Sequence, residues 1–284
     1  MTETFELSAF LIRPLVEAAL REDMRSSDIT TQTIIPAEQQ ATAFIRAREG
    51  GIFCGVETAR LAFQLLDEAV AVEVLLKDGA SLQPGDTVFK ITGNARAILT
   101  GERIALNFAQ RLSGIATLTG QFVAATEGTR ARIADTRKTT PGLRVLEKYA
   151  VRCGGGSNHR FALDDLILIK DNHIELCGGI TAAVDRARAH IGHAVKIEVE
   201  CDTLEQVHEA VAVRADIILL DNMGPDLLRE AVAVVNGRAL CEASGGVNLG
   251  TVAAIAQSGV DIISVGVLTH GYKSLDLGLD IKFE

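Results

Sequence analysis

The sequence predicts an α/β fold, with a parallel-sheet barrel in the second half and a separate mixed α+β domain before it. Three observations carry this reading. First, short apolar runs recur at 131–136, 165–170, 194–200, 215–221, 239–244 and 260–266, and helix-like segments separate the later ones. Strands that alternate with helices imply a parallel sheet. Second, from the third run on, the runs begin a little over 20 residues apart, compact for βα units. Repetition of this kind favours a barrel over an open sheet and leaves closure undecided. Third, the runs end in turn in Asp135-Thr136-Arg137-Lys138, Lys170, Glu200, Asp221, Ser244-Gly245-Gly246 and Gly266. In α/β barrels the C-terminal ends of the strands are where active sites are built.

The elements follow in order. Helical periodicity covers about 7–23. Strand candidates lie at 41–48, 71–76 and 86–93, and helices at 56–68 and 99–126. KDGASLQPGDTVFKITG has the outline of a lipoyl-type turn but no lysine in the required context, so it reads as a β-turn. Ser113 and Gly114 mark a bend in the long helix. After the first barrel strand, Thr140 is the expected N-cap and Pro141 the first helical residue. GITAAVDRARAHIG forms the helix after Cys177. Asp202 with Glu205 three residues on makes a capping box. Pro225 opens the next helix and Gly237 lies past its end. A last helix spans 248–259. Lys196, Glu198 and Glu200 share one face of their strand, because side chains alternate. The charged face looks into the barrel, where Lys196 and Glu198 pair and Glu200 stands nearest the mouth.

Bulk properties exclude several classes. A net charge of −9 argues against nonspecific nucleic-acid binding, which needs clustered surface cations. There is no Trp and only two Tyr, so an aromatic stacking platform is not expected. Five cysteines without a CxxC pair read as reduced thiols, not as a disulfide framework or a zinc site. MTETFELSAFLIRP is not a secretory signal, and no run approaches the ~20 apolar residues of a membrane span. The expected location is the cytoplasm.

Against this acidic background, 131–173 gathers Arg137, Lys138, Arg160, Lys170 and His159 at strand ends and loops. Such a group fits a small, multiply anionic substrate. Gly154–Gly156 lacks the spacing of a dinucleotide fingerprint. SGG (244–246) and VGV (265–267), in the last two βα units, have the character of a barrel phosphate site, where backbone N–H groups cradle the anion. Glu200 and Asp221 can bind sugar hydroxyls or a hydrated Mg2+. Arginines bind carboxylate or phosphate through two hydrogen bonds at once. A sugar phosphate with an acidic co-substrate fits the distribution.

GERIALNFAQRLSGIATLT (101–119), TRKTTPGLRVLEKYAVRCGGGSNHR (136–160), LILIKDNHI (166–174), KIEVE (196–200), LLDN (219–222), SGGV (244–247) and SVGVLTH (264–270) resemble the quinolinate phosphoribosyltransferases. AREGGIFCG (47–55) extends the likeness towards the N-terminus. The resemblance implies conversion of quinolinate and phosphoribosyl pyrophosphate to nicotinate mononucleotide, pyrophosphate and CO2, with Mg2+, in NAD biosynthesis. It implies an N-terminal α/β sandwich over 1–112, joined by 271–284, an open α/β barrel over 113–270, and a homodimer or higher homo-oligomer. Arg103, Thr136, Arg137, Lys138, His159, Arg160 and Lys170 would line the quinolinate and pyrophosphate region. Glu200 and Asp221 would meet the ribose hydroxyls and the metal. Ser244, Gly245, Gly246, Val265, Gly266 and Val267 would hold the 5′-phosphate, and Arg48 would reach the neighbouring subunit's site. Lys138, Lys170, Glu200 and Asp221 are the catalytic candidates. Phe161-Ala162 and Gly271-Tyr272 depart from the pattern beside site residues. A related transferase with another acceptor, such as the molybdenum-transport-associated paralogues, and a non-catalytic sugar-phosphate-binding protein are the competing readings.

Overall fold

A computed structural model describes residues 7–282. Residues 1–6, part of the stretch read as lacking a secretory signal, and 283–284, the end of the joining segment, lie outside the described residues. The chain divides into two units. The first takes the chain up to Gly120, then Thr139–Gly155, then everything from Gly271 on; the second takes Gln121–Lys138 and Gly156–His270. The division after Gly120 falls inside a helix, later than the boundary drawn at 112, and 139–155 counts with the first unit.

In chain order the first unit begins with α1 (Ala9–Met24), α2 (Ile29–Ile34), β1 (Gln40–Ala47), β2 (Gly51–Ile52) and α3 (Val56–Gln64). It continues with β3 (Ala71–Val74), β4 (Ser81–Leu82), β5 (Thr87–Asn94) and α4 (Ala95–Ala125), which belongs to this unit as far as Gly120. α1 buries Ile12, Val16 and Leu20, one stripe at helical spacing. Asp28 caps α2 by accepting the Thr31 N–H at 3.0 Å. β1 alternates, with Ala43, Ile45 and Ala47 buried. The antiparallel sheet runs β12-β1-β5-β3, where β12 (Leu277–Lys282) is the last strand of the chain. Phe53 and Phe89 meet edge to face with centroids 5.6 Å apart. The Gly85 turn between β4 and β5 is the β-turn the sequence suggested.

α4 runs unbroken where a bend was expected. Ser113 is small there because its hydroxyl is shared with the backbone of Cys54, accepting the N–H at 2.9 Å and donating to the carbonyl at 3.1 Å. The segment after β6 (Arg132–Ala134) also differs from expectation. Thr140 and Pro141 do not open a helix. They form a turn with Gly142 (φ +82°), closed by the Leu143 N–H to the Thr140 carbonyl at 3.0 Å. α5 (Arg144–Cys153) starts later, because Pro141-Gly142 satisfies a turn more cheaply than a helix start.

The second unit holds β6, then β7 (Ile167–Ile169), α6 (Asp171–Cys177), α7 (Ile180–His190), β8 (Ile197–Cys201) and α8 (Leu204–Ala212). β9 (Ile217–Asp221), α9 (Pro225–Val235), β10 (Leu240–Ser244), α10 (Val252–Ala256), β11 (Ile262–Ser264) and α11 (Val267–His270) complete it. The cap of α8 is Thr203 with Gln206, one residue beyond the expected Asp202 and Glu205. Pro225 opens α9 as expected. α10 is shorter than the helix drawn over 248–259, and α6 was not foreseen.

All six strands are parallel, in the order β6-β11-β10-β9-β8-β7. The first strand pairs with the last while β7 and β6 stand at opposite edges, which is a barrel open between its first two strands. A single bridge, Ala134 to Ser157, extends the β6 edge. Ile133, Val199, Ile218, Leu220, Ala243 and Ile263 are buried on the outer face, where helices cover them. Among the described residues no helix is long and apolar enough to cross a membrane.

Candidate active site

Register places the candidate residues on the inner face. In parallel pairing, residues opposite one another point the same way. Glu200, Leu219, Glu242 and Ile262 form one row across β8, β9, β10 and β11. One step nearer the mouth, Asp221 pairs with Ser244. Alternation puts Glu198 below Glu200 on the same face. Lys170 follows β7 directly, and its Nζ lies 2.6 Å from Glu200 Oε2. The expected pair between Lys196 and Glu198 does not form: Lys196 precedes β8 and is exposed, while Glu198 is buried and turns to His159.

The loop after β6 is tied down by its own hydroxyls. Thr136 Oγ1 accepts the Lys138 N–H at 3.0 Å, and Thr269 Oγ1 donates to the Lys138 carbonyl at 2.6 Å. The Lys138 side chain stays exposed. Arg137 Nε is buried without a hydrogen-bond partner. Burial, and then Arg137, lower the Arg160 guanidinium from its ordinary value. A crowded pair of cations with an unused buried donor is a binding face for an anion.

Asp135, buried at the end of β6, accepts the His159 N–H at 2.9 Å and the Asn158 side-chain amide at 2.5 Å. The His159 ring carries the Arg160 N–H on Nδ1 at 2.7 Å, and its Nε2 lies 3.2 Å from Glu198 and 3.4 Å from Glu242. Burial opposes a charged ring, but the two carboxylates reverse this and push the His159 proton affinity up to about 10. Burial, joined by repulsion from Glu242, also raises Glu198. Because Nδ1 accepts a hydrogen bond, the ring hydrogen sits on Nε2, facing the two carboxylates.

Asp221 is raised by burial first and then by Glu200 and Asp202. Its neighbour Asn222 turns an amide onto it at 2.5 Å. Gly245, at φ +90°, lies over that amide: a Cβ there would fall 2.1 Å from Asn222 Oδ1, so only glycine fits. Gly246 is exposed and also left-handed at φ +62°. Val265 is buried, and Gly266 and Val267 are half-buried at the start of α11.

Two candidates lie in the first unit. Arg103 is exposed on α4. Arg48 follows β1, where its Nη2 donates to Asp280 on β12 at 2.7 Å. The remaining candidates share the second unit. The residues that sequence reasoning passed over are Asp135, treated only as a strand end, and Glu242. The parity of LCEAS, which puts Glu242 on the face of Ser244, was the available signal. Of the departures, Tyr272 stacks on the Arg111 guanidinium at 5.2 Å, and the Phe161 N–H donates to Asp165 at 2.5 Å.

The pattern described as "Quinolinate phosphoribosyl transferase, N-terminal domain" matches residues 28–113, and that described as "Quinolinate phosphoribosyl transferase, C-terminal domain" matches 115–280. A probable nicotinate-nucleotide pyrophosphorylase [carboxylating] of Bacillus subtilis is 47% identical over 95% of this chain and 93% of its own. A nicotinate-nucleotide pyrophosphorylase [carboxylating] of Mycobacterium leprae is 45% identical over 95% and 96%. The crystal structure of NadC from Streptococcus pyogenes superposes with a TM-score of 0.94 at 42% identity, covering 98% of this chain and 99% of that one. The open barrel, its charged mouth and these likenesses agree that the chain belongs to the quinolinate phosphoribosyltransferase family.

Proposed function

We propose that this chain transfers the phosphoribosyl group of phosphoribosyl pyrophosphate to quinolinate and removes one carboxylate as CO2, giving nicotinate mononucleotide and pyrophosphate for NAD biosynthesis. Family membership over nearly the whole chain carries the reading, and the inner-face row of cations and carboxylates supports it. The pyridine nitrogen bonds to the anomeric carbon as the bond to pyrophosphate breaks. Glu200 and Asp221, at the ends of adjacent strands, stabilise the positive charge that develops on the ribose. Ser244–Gly246 and Val265–Val267 hold the 5′-phosphate. Arg103, Thr136, Arg137, Lys138, His159, Arg160 and Lys170 surround the dicarboxylate and the pyrophosphate. The ring nitrogen, now cationic, stabilises the electron pair left on the adjacent carbon as the carboxylate there departs as CO2, and that pair takes up a proton. Lys138 and Lys170 are the candidates for delivering that proton.

The oxygen donors suit a hard divalent cation, since Glu200 and Asp202 raise Asp221 by a repulsion that such an ion relieves. Glu200 and Asp221 would hold Mg2+, which would neutralise charge on the departing pyrophosphate. A homodimer in which Arg48 serves the neighbouring site, and a cytoplasmic location in keeping with five free thiols, complete the proposal.

Purified protein with quinolinate, phosphoribosyl pyrophosphate and Mg2+ should release CO2 and form nicotinate mononucleotide. Turnover with another base but none with quinolinate would reassign the acceptor. Retained sugar-phosphate binding without any turnover would make the protein a binding module. Arg137→Ala should weaken quinolinate binding by about tenfold or more, since its guanidinium faces the acceptor. Unchanged affinity would remove Arg137 from the pocket.

A further inference from the structure

Two buried glutamates stand inside the barrel below the mouth. Glu198 on β8 is 0% exposed and Glu242 on β10 is 1% exposed. Their neighbours on the same inner face, Ile217, Leu219 and Ile262, are apolar, as a packed interior requires. A pair of carboxylates there carries a desolvation penalty that a partner must offset. Glu242 lies in the row of Glu200, Glu198 lies one step deeper, and both side chains are closed off from solvent. Both oxygens of Glu198 and Oε1 of Glu242 lack a well-aligned hydrogen bond, and the His159 Nε2 lies within ion-pair distance of each residue.

We infer that Glu242, together with Glu198, is a positioning residue for the acceptor side of the site: the pair draws the His159 ring into the barrel, and the ring in turn fixes the Arg160 backbone through Nδ1. The inference rests on the function proposed above. The linkage is continuous. Asp135 holds the His159 backbone from β6, the carboxylates hold the ring from β8 and β10, and Nδ1 receives the N–H of Arg160. The Arg160 guanidinium is steadied at its other end by the Leu166 carbonyl at 3.4 Å. His159 therefore works as a strut whose two nitrogens are both turned to protein groups. A metal ion is the other occupant such a trio invites, since the three donor atoms lie within 4.8 Å of one another. The hydrogen bond on Nδ1 excludes it, because the ring then carries its hydrogen on Nε2 and has no lone pair to offer there.

The test compares Glu242→Gln and Glu242→Asp with the parent enzyme. Steady-state kinetics give kcat and the KM of each substrate, thermal unfolding reports the fold, and the 15N resonances of His159, assigned with His159→Gln, report the ring. Glu242→Gln should raise the quinolinate KM about tenfold, leave the phosphoribosyl pyrophosphate KM within about twofold, and shift the His159 ring nitrogens. Glu242→Asp, which restores the charge, should recover part of the quinolinate KM. An unmoved quinolinate KM with unmoved His159 resonances overturns the inference. Equal losses for both substrates that follow loss of the fold also overturn it, as the mark of a merely structural residue. If Glu242→Gln does not fold, the KM split of Glu242→Asp decides. Absence of quinolinate turnover in the parent enzyme would defeat the proposed function alone, and the resonance shift would still judge the strut.

Discussion

Asp78 is a carboxylate with three donors to hold. Oδ1 accepts the Gly55 N–H at 2.7 Å and the Val56 N–H at 3.1 Å, and Oδ2 accepts the Tyr149 hydroxyl at 2.8 Å. Burial nevertheless raises its carboxyl above the ordinary 3.8, with the hydrogen bonds pulling the other way. A raised acid means that the folded chain binds more protons than the unfolded one in the window just above that value, so stability falls as pH rises through it. Asp78→Asn keeps an acceptor for the backbone and removes the charge. It should flatten the fall in urea-unfolding stability as pH rises above the ordinary 3.8 and hold or raise stability at pH 7. A steeper profile would mean that the ionised form is the stabilising one. Cys54, in the same cluster, has its thiol pushed well up, chiefly by burial. Cys153, Cys201 and Cys241 are buried as well, and Cys177 is not. A native-state thiol titration should therefore show one fast thiol, lost in Cys177→Ser. The mouth residues were legible in the sequence because charge at the end of an apolar run is conspicuous. Glu242 was not, because it is the only charge in LCEAS and its meaning depends on His159, which arrives from a distant loop.

Among the elements, α5 shows how a buried charge can set a loop. Glu147, fully buried, accepts the Thr140 N–H at 3.0 Å through Oε2 and both Nε and Nη2 of Arg111 through Oε1. Arg111 also reaches Thr140 Oγ1 and lies under Tyr272. The turn at Pro141-Gly142 is thus anchored to α4 through one glutamate. Glu147→Gln leaves the guanidinium without its counter-charge and should cost about 3–5 kcal/mol in chemical unfolding. A loss below about 1 kcal/mol would mean that Tyr272 and Thr140 suffice to hold Arg111. Helical periodicity located α1, α8 and α9 because each has a stripe long enough to repeat. It missed α6 and overdrew α10, which are too short for a period to register. The cap of α8 shifted by one residue because Asp202-Thr203 and Glu205-Gln206 satisfy the same rule twice. The Asp202 N–H settles it by donating to Gln206 Oε1 at 2.6 Å.

At the scale of the whole molecule, the chain visits its first unit three times. Apolar runs disclosed the barrel, since from β7 to β11 each strand lies beside its neighbour in sequence and β6 alone pairs with a distant one. They did not disclose that β12 lies beside β1, because antiparallel partners so far apart leave no local trace. β1 is bonded on both sides, from Thr42↔Lys282 to Ala47↔Leu277 on one and by β5 on the other. A chain stopped after His270 would leave one edge of β1 bare, an open invitation to pair with another chain. Such a truncation should lose cooperative unfolding of the first unit and aggregate, as followed by circular dichroism and light scattering. A stable, monodisperse product would show that β5 alone supports β1. The same pairing has a consequence for synthesis on the ribosome. The strands β7 to β11 emerge in order and can associate as they appear, but the second edge of β1 waits for β12. Until then β1 has β5 on one side and a bare edge on the other, an edge that a strand-shielding chaperone would cover.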